Sequence, residues 1–327
     1  MPKALVTGAT GFVGSHLVAE LLKRGYQVSV LVRKTSDLSG LLNIGVELVF
    51  GDVSDQESLK KIFFDFDYIF HVAGLIKAKN QEDFFKANAQ GTKNLLEVLV
   101  DSDYPVKRFV LVSSLAASGP SSDSQPKRET DRCEPVSTYG QSKREAEKIA
   151  LGFAHKIPVT IIRPPAIYGP KDRQLLNFFK LAKWGIIPLM GKDKNFFSLV
   201  YVQDLVDAII LAAENPKAQG EIYFIADGEI YNWEKAGDMA AEVWGKKPFK
   251  FTPPMFLLYI TAVISEVAGK LTGKAPYLTR RKLEEIHYRY WVCDISKART
   301  ELNFKPKFDF RRGAQETVNW YKQNKWL

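Results

Sequence analysis

Cysteine and histidine are scarce in this chain of 327 residues, which holds two cysteines and four histidines. Cys133 and Cys293 lie far apart, and the histidines are scattered without the spacing of metal ligands. So few cysteines exclude a disulfide-rich secreted domain and predict two free thiols in a reducing compartment. The sequence likewise predicts no metal site.

Long hydrophobic runs are also missing. The longest, residues 255–264, is too short to span a bilayer before Glu266 interrupts it. At the N-terminus, Pro2 leads directly into a strand, which leaves no space for the charged and apolar segments of a signal peptide. We therefore expect a cytoplasmic protein without an integral membrane segment.

Acidic residues are fewer than basic ones, and the formal net charge is +9. Residues 270–327 carry 14 Lys and Arg against 6 Asp and Glu. A solvated basic surface explains this surplus, and the alternatives are attraction of an anionic substrate or peripheral contact with an acidic membrane. Helix-turn-helix, zinc and aromatic stacking patterns are absent from the sequence, so we expect no nucleic-acid partner.

Glycine, by contrast, is concentrated near the N-terminus in a regular pattern. An apolar strand at residues 3–6 is followed by three spaced glycines and by a helical pattern that begins at Phe12. The first glycine permits a tight turn, the second lets the backbone approach a pyrophosphate, and the third allows the helix to pack on the strand. This pattern predicts a dinucleotide site with contacts from Gly8, Thr10, Gly11, Phe12, Val13 and Gly14.

Arg33 follows the second predicted strand, residues 27–32, at the place where the adenosine ribose is expected. An acidic residue here would bind the two ribose hydroxyls of NAD, whereas an arginine can pair with a 2′-phosphate. The sequence therefore favours NADP(H) as the cofactor, with NAD(H) as the alternative.

Four further strands are predicted, at residues 46–50, 67–70, 108–112 and 159–162. After the first of them, Asp52 is placed to meet the adenine amino group and Val53 to pack on the ring, although a simple turn aspartate fits nearly as well. Ala73 follows the next strand beside the expected cofactor path. A helix predicted at 83–100 carries Asn88, which can tie this strand end to its neighbour.

A polar loop, residues 119–135, leads to Tyr139 and Lys143 at the start of a helix predicted to run to residue 155. Residues four apart share one helix face. A nearby ammonium lowers the pKa of a phenol and lets tyrosine exchange a proton with a carbonyl or an alcohol. Ser114, which follows strand 108–112, is placed to hold the substrate oxygen.

Together these motifs resemble the extended short-chain dehydrogenase/reductase family, the NAD(P)-dependent epimerase/dehydratase group. The resemblance implies that Tyr139 is the catalytic acid/base, that Lys143 binds the ribose and tunes the phenol, and that Ser114 is the substrate-oxygen donor. It also implies cofactor contacts by Asn88, Pro164 and Ile167, and a substrate wall that includes Ser113, Leu115, Tyr168 and Phe197. The motifs that carry the resemblance are residues 7–14, 51–53, 113–114, 139–143, 163–164, 168–170 and 202–205.

The family resemblance implies an α/β fold, a doubly wound parallel Rossmann sheet with a smaller, discontinuous C-terminal substrate lobe. A strand and helix at 200–213 and a strand at 221–226 would return to the sheet. The expected domains are a cofactor domain, residues 1–170 plus 198–227, and a substrate lobe, residues 171–197 plus 228–327.

Two departures from the family pattern bear on the reaction. Dehydratases usually place an Asp-Glu pair beside the catalytic Ser, whereas Leu115 and Ala116 follow Ser114 here. Many sugar-nucleotide epimerases carry a diphosphate-binding arginine where this chain has Phe197. Phe196 and Phe197, together with residues 253–260, suggest an apolar wall instead, similar to the branch that holds dihydroflavonol reductases and 3β-hydroxysteroid dehydrogenases. An ordinary buried helix explains residues 255–264 at least as well. The expected reaction is therefore hydride transfer to or from a hydrophobic ketone, aldehyde or secondary alcohol.

Other functions stay open on the sequence. One is a sugar-nucleotide epimerase with tightly bound cofactor, in which Arg280 and Arg281 would bind the diphosphate. Another is a non-catalytic cofactor sensor, against which the complete Ser, Tyr and Lys set argues. By analogy with relatives, we also expect a homodimer in which the helices predicted at 83–100 and 139–155 form a four-helix bundle.

Overall fold

A computed structural model describes residues 1–62, 65–189, 195–272, 283 and 287–327. Its centre is a parallel sheet of seven strands in the order β11-β6-β5-β4-β1-β2-β3. These strands are β1 Lys3–Thr7, β2 Gln27–Val32, β3 Glu47–Phe50, β4 Tyr68–His71, β5 Arg108–Val112, β6 Val159–Arg163 and β11 Ile222–Phe224. The predicted doubly wound α/β fold is confirmed.

Helices cover both faces of this sheet, because alternate residues of each strand point to opposite sides. Ala4 and Val6 of β1 join one apolar cluster, whereas Leu5 joins the other. The helices of this part are α1 Phe12–Lys23, α2 Gln56–Leu59, α3 Gln81–Phe84, α4 Gly91–Asp101, α5 Leu115–Ser118, α6 Thr138–Gly152 and α8 Val202–Glu214, with a 3₁₀ turn at Pro216–Ala218.

The smaller part of the molecule has its own apolar cluster, built largely from aromatic side chains. Phe179, Tyr231, Phe310 and Tyr321 are fully buried or nearly so and pack with Tyr168. Its helices are α7 Leu176–Lys183, α9 Trp233–Glu242, α10 Met255–Thr272, α11 Ser296–Glu301 and α12 Phe310–Gln323. Its short strands are β7 Ala166–Tyr168, β8 Ile186–Pro188, β9 Phe196–Phe197, β10 Leu199–Tyr201, β12 Tyr231–Asn232, β13 Phe249–Phe251 and β14 Tyr290–Trp291.

Three expectations about the chain differ from what is observed. The helix predicted at 83–100 is interrupted by a π-helical segment, Phe85–Gln90, which lies between α3 and α4. The strand expected near residue 200 is β10, but it pairs with β7 in a separate two-stranded sheet, so that only β11 joins the central sheet. Residues 292–304, which the sequence assigned to the lobe 228–327, contribute Val292, Ile295 and Phe304 to the buried core, and the last two pack in the large cluster of the central sheet.

Helix α10 corrects a further interpretation. An ordinary buried helix is the alternative to a substrate wall for the apolar run 255–264, yet Phe256 is 63% exposed and Ile264 is 62% exposed. Among the described residues, no helix is both long and apolar enough to cross a membrane. The helix therefore presents an apolar surface to solvent.

Candidate cofactor and catalytic site

The glycine loop between β1 and α1 brings backbone segments so close together that side chains would not fit. A Cβ atom on Gly14 would lie 2.2 Å from the Gly8 carbonyl oxygen, and one on Gly8, where φ is 74°, would lie 2.7 Å from the Ala73 nitrogen. Gly11 supplies no side-chain cap to α1, and Thr10 and Gly11 are exposed. The open N-terminus of a 12-residue helix next to a narrow backbone cradle fits a dinucleotide pyrophosphate.

A buried hydrogen-bond chain joins the ends of β1 and β4 to helix α4. His71 Nδ1 lies 2.8 Å from Thr7 Oγ1, and its Nε2 lies 3.1 Å from Thr92 Oγ1. Thr7 Oγ1 also accepts a hydrogen bond of 3.1 Å from the backbone N–H of Ala73. Burial, reinforced by the charge of Lys143, lowers the pKa of His71 to about 3, so this imidazole is neutral at physiological pH. The chain fixes the predicted cofactor contact Ala73 against the glycine loop.

Asn88 lies in the π-helical segment and connects three parts of the site. Its Oδ1 accepts a hydrogen bond of 2.8 Å from the Leu75 N–H, and its Nδ2 donates to the Leu75 carbonyl at 3.1 Å and to Ser142 Oγ at 2.9 Å. Short π-helical insertions are rare in proteins, and those that occur are often found at functional sites. The extra residue in this turn aims the amide at the loop after β4 and at helix α6 together.

Lys143 is buried against the end of β5, where its Nζ donates a hydrogen bond of 2.6 Å to the Val112 carbonyl. Burial lowers the pKa of this ammonium to about 8, and the negative charge of Glu147 opposes the shift. A Cβ atom on Gly74 would lie 2.9 Å from Asn88 Oδ1 and 3.6 Å from Lys143 Nζ. Gly74, Asn88 and Lys143 thus converge at the carboxyl edge of the sheet.

Tyr139 begins α6 one turn before Lys143 and is half-buried, with its ring centroid 6.1 Å from that of Phe84. Ser114 is the N-cap of α5, where its Oγ accepts a hydrogen bond of 3.1 Å from the Ala116 N–H. The two helices touch, since a Cβ atom on Gly140 would lie 2.3 Å from the Ala116 carbonyl oxygen. The structure therefore brings the helix starts that carry Ser114 and Tyr139 together.

Beneath these residues lies a buried ion pair that the sequence interpretation missed. Arg163 Nε donates to Glu147 Oε1 at 2.8 Å and Arg163 Nη2 to Glu147 Oε2 at 2.6 Å, and both side chains are 0% exposed. Arg144 Nη1 adds a hydrogen bond of 3.0 Å to Glu147 Oε2. The available signal was the position of Glu147, four residues after Lys143 and hence one turn along the same helix.

Two residues predicted to line the substrate are used elsewhere. Ser113 is buried and donates its hydroxyl to Glu147 Oε1 at 2.6 Å, so its side chain belongs to the contact between β5 and α6. Tyr168 is 0% exposed and donates to the Asp309 carbonyl at 3.1 Å, because it fills the aromatic cluster of the smaller part of the molecule. The prediction that these two side chains line the substrate is therefore corrected.

The other predicted wall and cofactor residues are partly or fully buried. Leu115 is buried and its N–H donates to the Pro164 carbonyl at 2.8 Å, while Ile167 is half-buried in β7. Phe197 is half-buried in β9, and its ring centroid lies 5.2 Å from that of Trp233. This contact sets two aromatic rings side by side at the position of Phe197.

At the adenosine end, Arg33 is exposed directly after β2, and its N–H donates to Ser36 Oγ at 3.1 Å. Asp52 Oδ1 accepts a hydrogen bond of 2.8 Å from the Ser54 N–H, which is the turn role that the sequence left open beside adenine binding. Val53 is half-buried and packs against Gly91, where an added Cβ would lie 3.0 Å from its Cγ2.

Comparison with known proteins relates this chain to a family model, to curated relatives and to solved structures. The family model described as the NAD dependent epimerase/dehydratase family matches residues 4–226. A ceramide reductase of Caulobacter vibrioides is 30% identical over 323 residues, which cover 98% of this chain and 95% of that protein. A UDP-glucose 4-epimerase of Vibrio cholerae is 29% identical over 336 residues, covering 99% and 97%. The solved structure of UDP-glucose 4-epimerase from Thermotoga maritima has a TM-score of 0.81 at 24% identity, covers 98% of this chain and 99% of that one, and shows a common fold.

The matched region ends two residues after β11, so it contains the central sheet except for Lys3, the glycine loop and the helix that carries Tyr139 and Lys143. The relatives are similar over nearly their full lengths, which extends the likeness to the smaller part of the molecule. The chain belongs to the NAD-dependent epimerase/dehydratase family and is an NAD(P)-dependent oxidoreductase of the extended short-chain dehydrogenase/reductase type.

Proposed function

We propose that this enzyme prefers NADP(H) and transfers hydride to or from a hydrophobic ketone, aldehyde or secondary alcohol. The observation that supports this most is the placement of Lys143, which is buried against the Val112 carbonyl one helical turn from Tyr139 and beside Asn88 and Gly74. Ligands of doubly wound folds bind at the carboxyl edge of the sheet. The ammonium of Lys143 lies at this edge, where it can act on a bound cofactor or substrate.

The proposed roles follow from charge and position. The nicotinamide, when bound, supplies or accepts the hydride. Tyr139 exchanges the proton with the substrate oxygen, and Ser114, in the adjacent helix start, orients that oxygen. Because the pKa of Lys143 is about 8, most molecules carry its ammonium at neutral pH, and its positive charge stabilises the phenolate form of Tyr139.

The apolar character of the substrate is proposed from the wall around Phe197. Its ring packs on that of Trp233 with centroids 5.2 Å apart. Similarity to a ceramide reductase agrees with a lipid-like substrate. We propose that the lobe formed by residues 171–197 plus 228–327, apart from the segment 293–304 that packs on the central sheet, provides most of this substrate pocket.

A sugar-nucleotide epimerase is the second candidate, because the epimerase of Vibrio cholerae is similar to nearly the same extent. Arg280 and Arg281, the residues suggested for diphosphate contacts, lie outside the described residues. The test is to identify the co-purified cofactor and then to follow nicotinamide absorbance with hydrophobic carbonyls and with sugar nucleotides. We expect net oxidation of NADPH with a carbonyl; a retained cofactor and no net turnover would support the epimerase instead.

The preference for NADP(H) rests on Arg33, exposed where the 2′-phosphate is expected. We expect Arg33→Ala to raise the Kd for NADPH by about 10- to 100-fold, because hydrogen bonds to charged groups contribute about 1.5–3 kcal/mol. The Kd for NADH should not change. Fluorescence titration of both nucleotides measures this, with Lys23→Ala, whose side chain is 80% exposed, as the matched control. Equal or NADH-favoured binding by the unmodified protein would refute the preference.

A homodimer is also proposed, with the outer face of the π-helical segment and α6 as its interface. A groove of about 620 Å³ lies there, lined by Phe85, Ile149 and Phe153 and by charges of both signs, Lys86, Lys93, Glu145 and Lys148. Such a mixture can be self-complementary across a two-fold axis. We expect light scattering to give a dimer for the unmodified chain and a monomer for Ile149→Arg, whereas an unmodified monomer would disprove the proposal.

A further inference from the structure

The two-stranded sheet of β8 and β13 exposes aromatic side chains on one face. Phe249 is 70% exposed, and its ring stacks on that of Phe251 with centroids 6.3 Å apart. Ile186 pairs with Phe249 in register and is 37% exposed, whereas Ile187, on the opposite face, is fully buried. Trp184, just before β8, is 75% exposed. Apolar residues scattered singly on a surface need no explanation, but a contiguous set of this kind marks an interaction site.

Helix α10 follows closely in the chain, since it begins four residues after the end of β13, and it exposes further apolar side chains. Phe256, Leu257, Tyr259, Ile260, Ile264 and Val267 are each between 46% and 63% exposed. Within residues 255–272 the only charged residues are Glu266 and Lys270. Exposing so many apolar side chains to water costs free energy. Contact with a partner of low polarity would remove that cost.

Lysines stand around the aromatic residues. Lys180, Lys246 and Lys247 are exposed, and Lys183 is half-buried immediately before Trp184. A Cβ atom on Gly185 would lie 3.8 Å from Lys246 Cβ and 3.6 Å from the Lys247 carbonyl oxygen, so the two chain segments adjoin. Positive charges around exposed tryptophan and phenylalanine match an interface with anionic headgroups above and acyl chains below.

We propose that this aromatic–basic face, formed by β8, β13, α10 and the lysines of residues 180–183 and 246–247, docks on an anionic lipid bilayer. Trp184, Phe249 and the exposed side of α10 enter the headgroup–acyl boundary, while the lysines contact the headgroup charges. A second copy of the chain is the alternative occupant, and the oligomeric state of the variants distinguishes it from the bilayer.

Vesicle sedimentation with the full chain tests this directly. We expect binding to vesicles of phosphatidylcholine mixed with phosphatidylglycerol, little binding to phosphatidylcholine alone, and release by high salt. Trp184→Ser and Phe249→Ser should each weaken binding about tenfold or more, because each removes an aromatic side chain that the bilayer would bury. Lys246→Gln with Lys247→Gln should weaken it about 30-fold, since each lysine near an anionic surface contributes about 1 kcal/mol.

The matched controls are Leu42→Ser, at an apolar residue that is 57% exposed outside this face, and Lys23→Gln. Both should bind vesicles as the unmodified chain does, and unchanged melting temperatures establish that all variants fold. Absence of binding to anionic vesicles, or equal losses in the controls, would overturn the proposal. A shift from dimer to monomer in Phe249→Ser, without loss of vesicle binding, would assign the face to a second copy. None of these readouts depends on the reaction that the enzyme catalyses.

Discussion

Replacing Tyr139 by phenylalanine is expected to lower kcat by about 10³-fold, within the range of about 10²–10⁴ for a positioned proton donor. The substitution removes only the hydroxyl, and the ring retains its contact with Phe84. The Kd for NADPH should change less than about twofold, since Lys143 and Asn88 keep their hydrogen bonds to Val112 and Leu75. Steady-state kinetics with the carbonyl substrate measure kcat, and nucleotide titration measures the Kd for NADPH.

Tyr288→Phe is the matched control for this substitution, because Tyr288 is 42% exposed and lies in the segment between α10 and β14. It should leave kcat and the Kd for NADPH unchanged. Turnover retained in Tyr139→Phe would refute the acid/base role, and it would do so without refuting cofactor binding. An equal loss in both variants would instead point to a general effect of removing a phenol.

Replacing Glu147 by glutamine is expected to lower the free energy of unfolding by about 3–5 kcal/mol. The glutamine has nearly the same shape, but it leaves the guanidinium of Arg163 buried without a compensating charge. Because Glu147 also accepts the Ser113 hydroxyl and lies one turn below Lys143, the change loosens the contact between β5 and α6 under the catalytic residues. Urea denaturation with a spectroscopic probe gives the free energy.

Glu145→Gln is the control, since Glu145 is on the same helix and its side chain is 45% exposed beside Lys148. Its effect should be below about 1 kcal/mol, as for an exposed ion pair. The double variant Glu147→Leu with Arg163→Met should recover most of the lost stability, because it removes both charges together. Equal effects of Glu147→Gln and Glu145→Gln would show that the buried pair is not needed for stability.

The contrast between these two carboxylates illustrates where prediction from sequence ends. Both are glutamates on α6, two residues apart, and helical spacing places them on different sides. The sequence alone does not say that one faces Arg163, which lies 16 residues further along the chain at the end of β6. The pairing of Glu147 with Arg163 depends on β5 and β6 lying side by side, which is decided by the assembly of the whole sheet.

Several other features of the site have the same origin. The π-helical segment lets Asn88 bond both Leu75 and Ser142. Both partners are distant in the chain, so local propensity does not indicate this segment. Tyr168 was expected at the substrate because it belongs to a motif that follows β6, yet the C-terminal helix α12 covers it. The exposure of α10 is likewise not predictable from the sequence, because a run of apolar residues shows the same pattern whether or not another element packs against it.

What the sequence by itself determined is local. The bounds of β2 and β5 and the glycine loop that precedes α1 follow from residues that are neighbours in the chain. Alternating or continuous apolar strands and conformations that only glycine adopts are fixed over a few residues. What only the tertiary structure decided are the Glu147–Arg163 pair, the His71 chain, the burial of Tyr168 and the open face of α10. Each depends on which distant segment lies opposite, and that is set by the packing of the complete sheet and its helices.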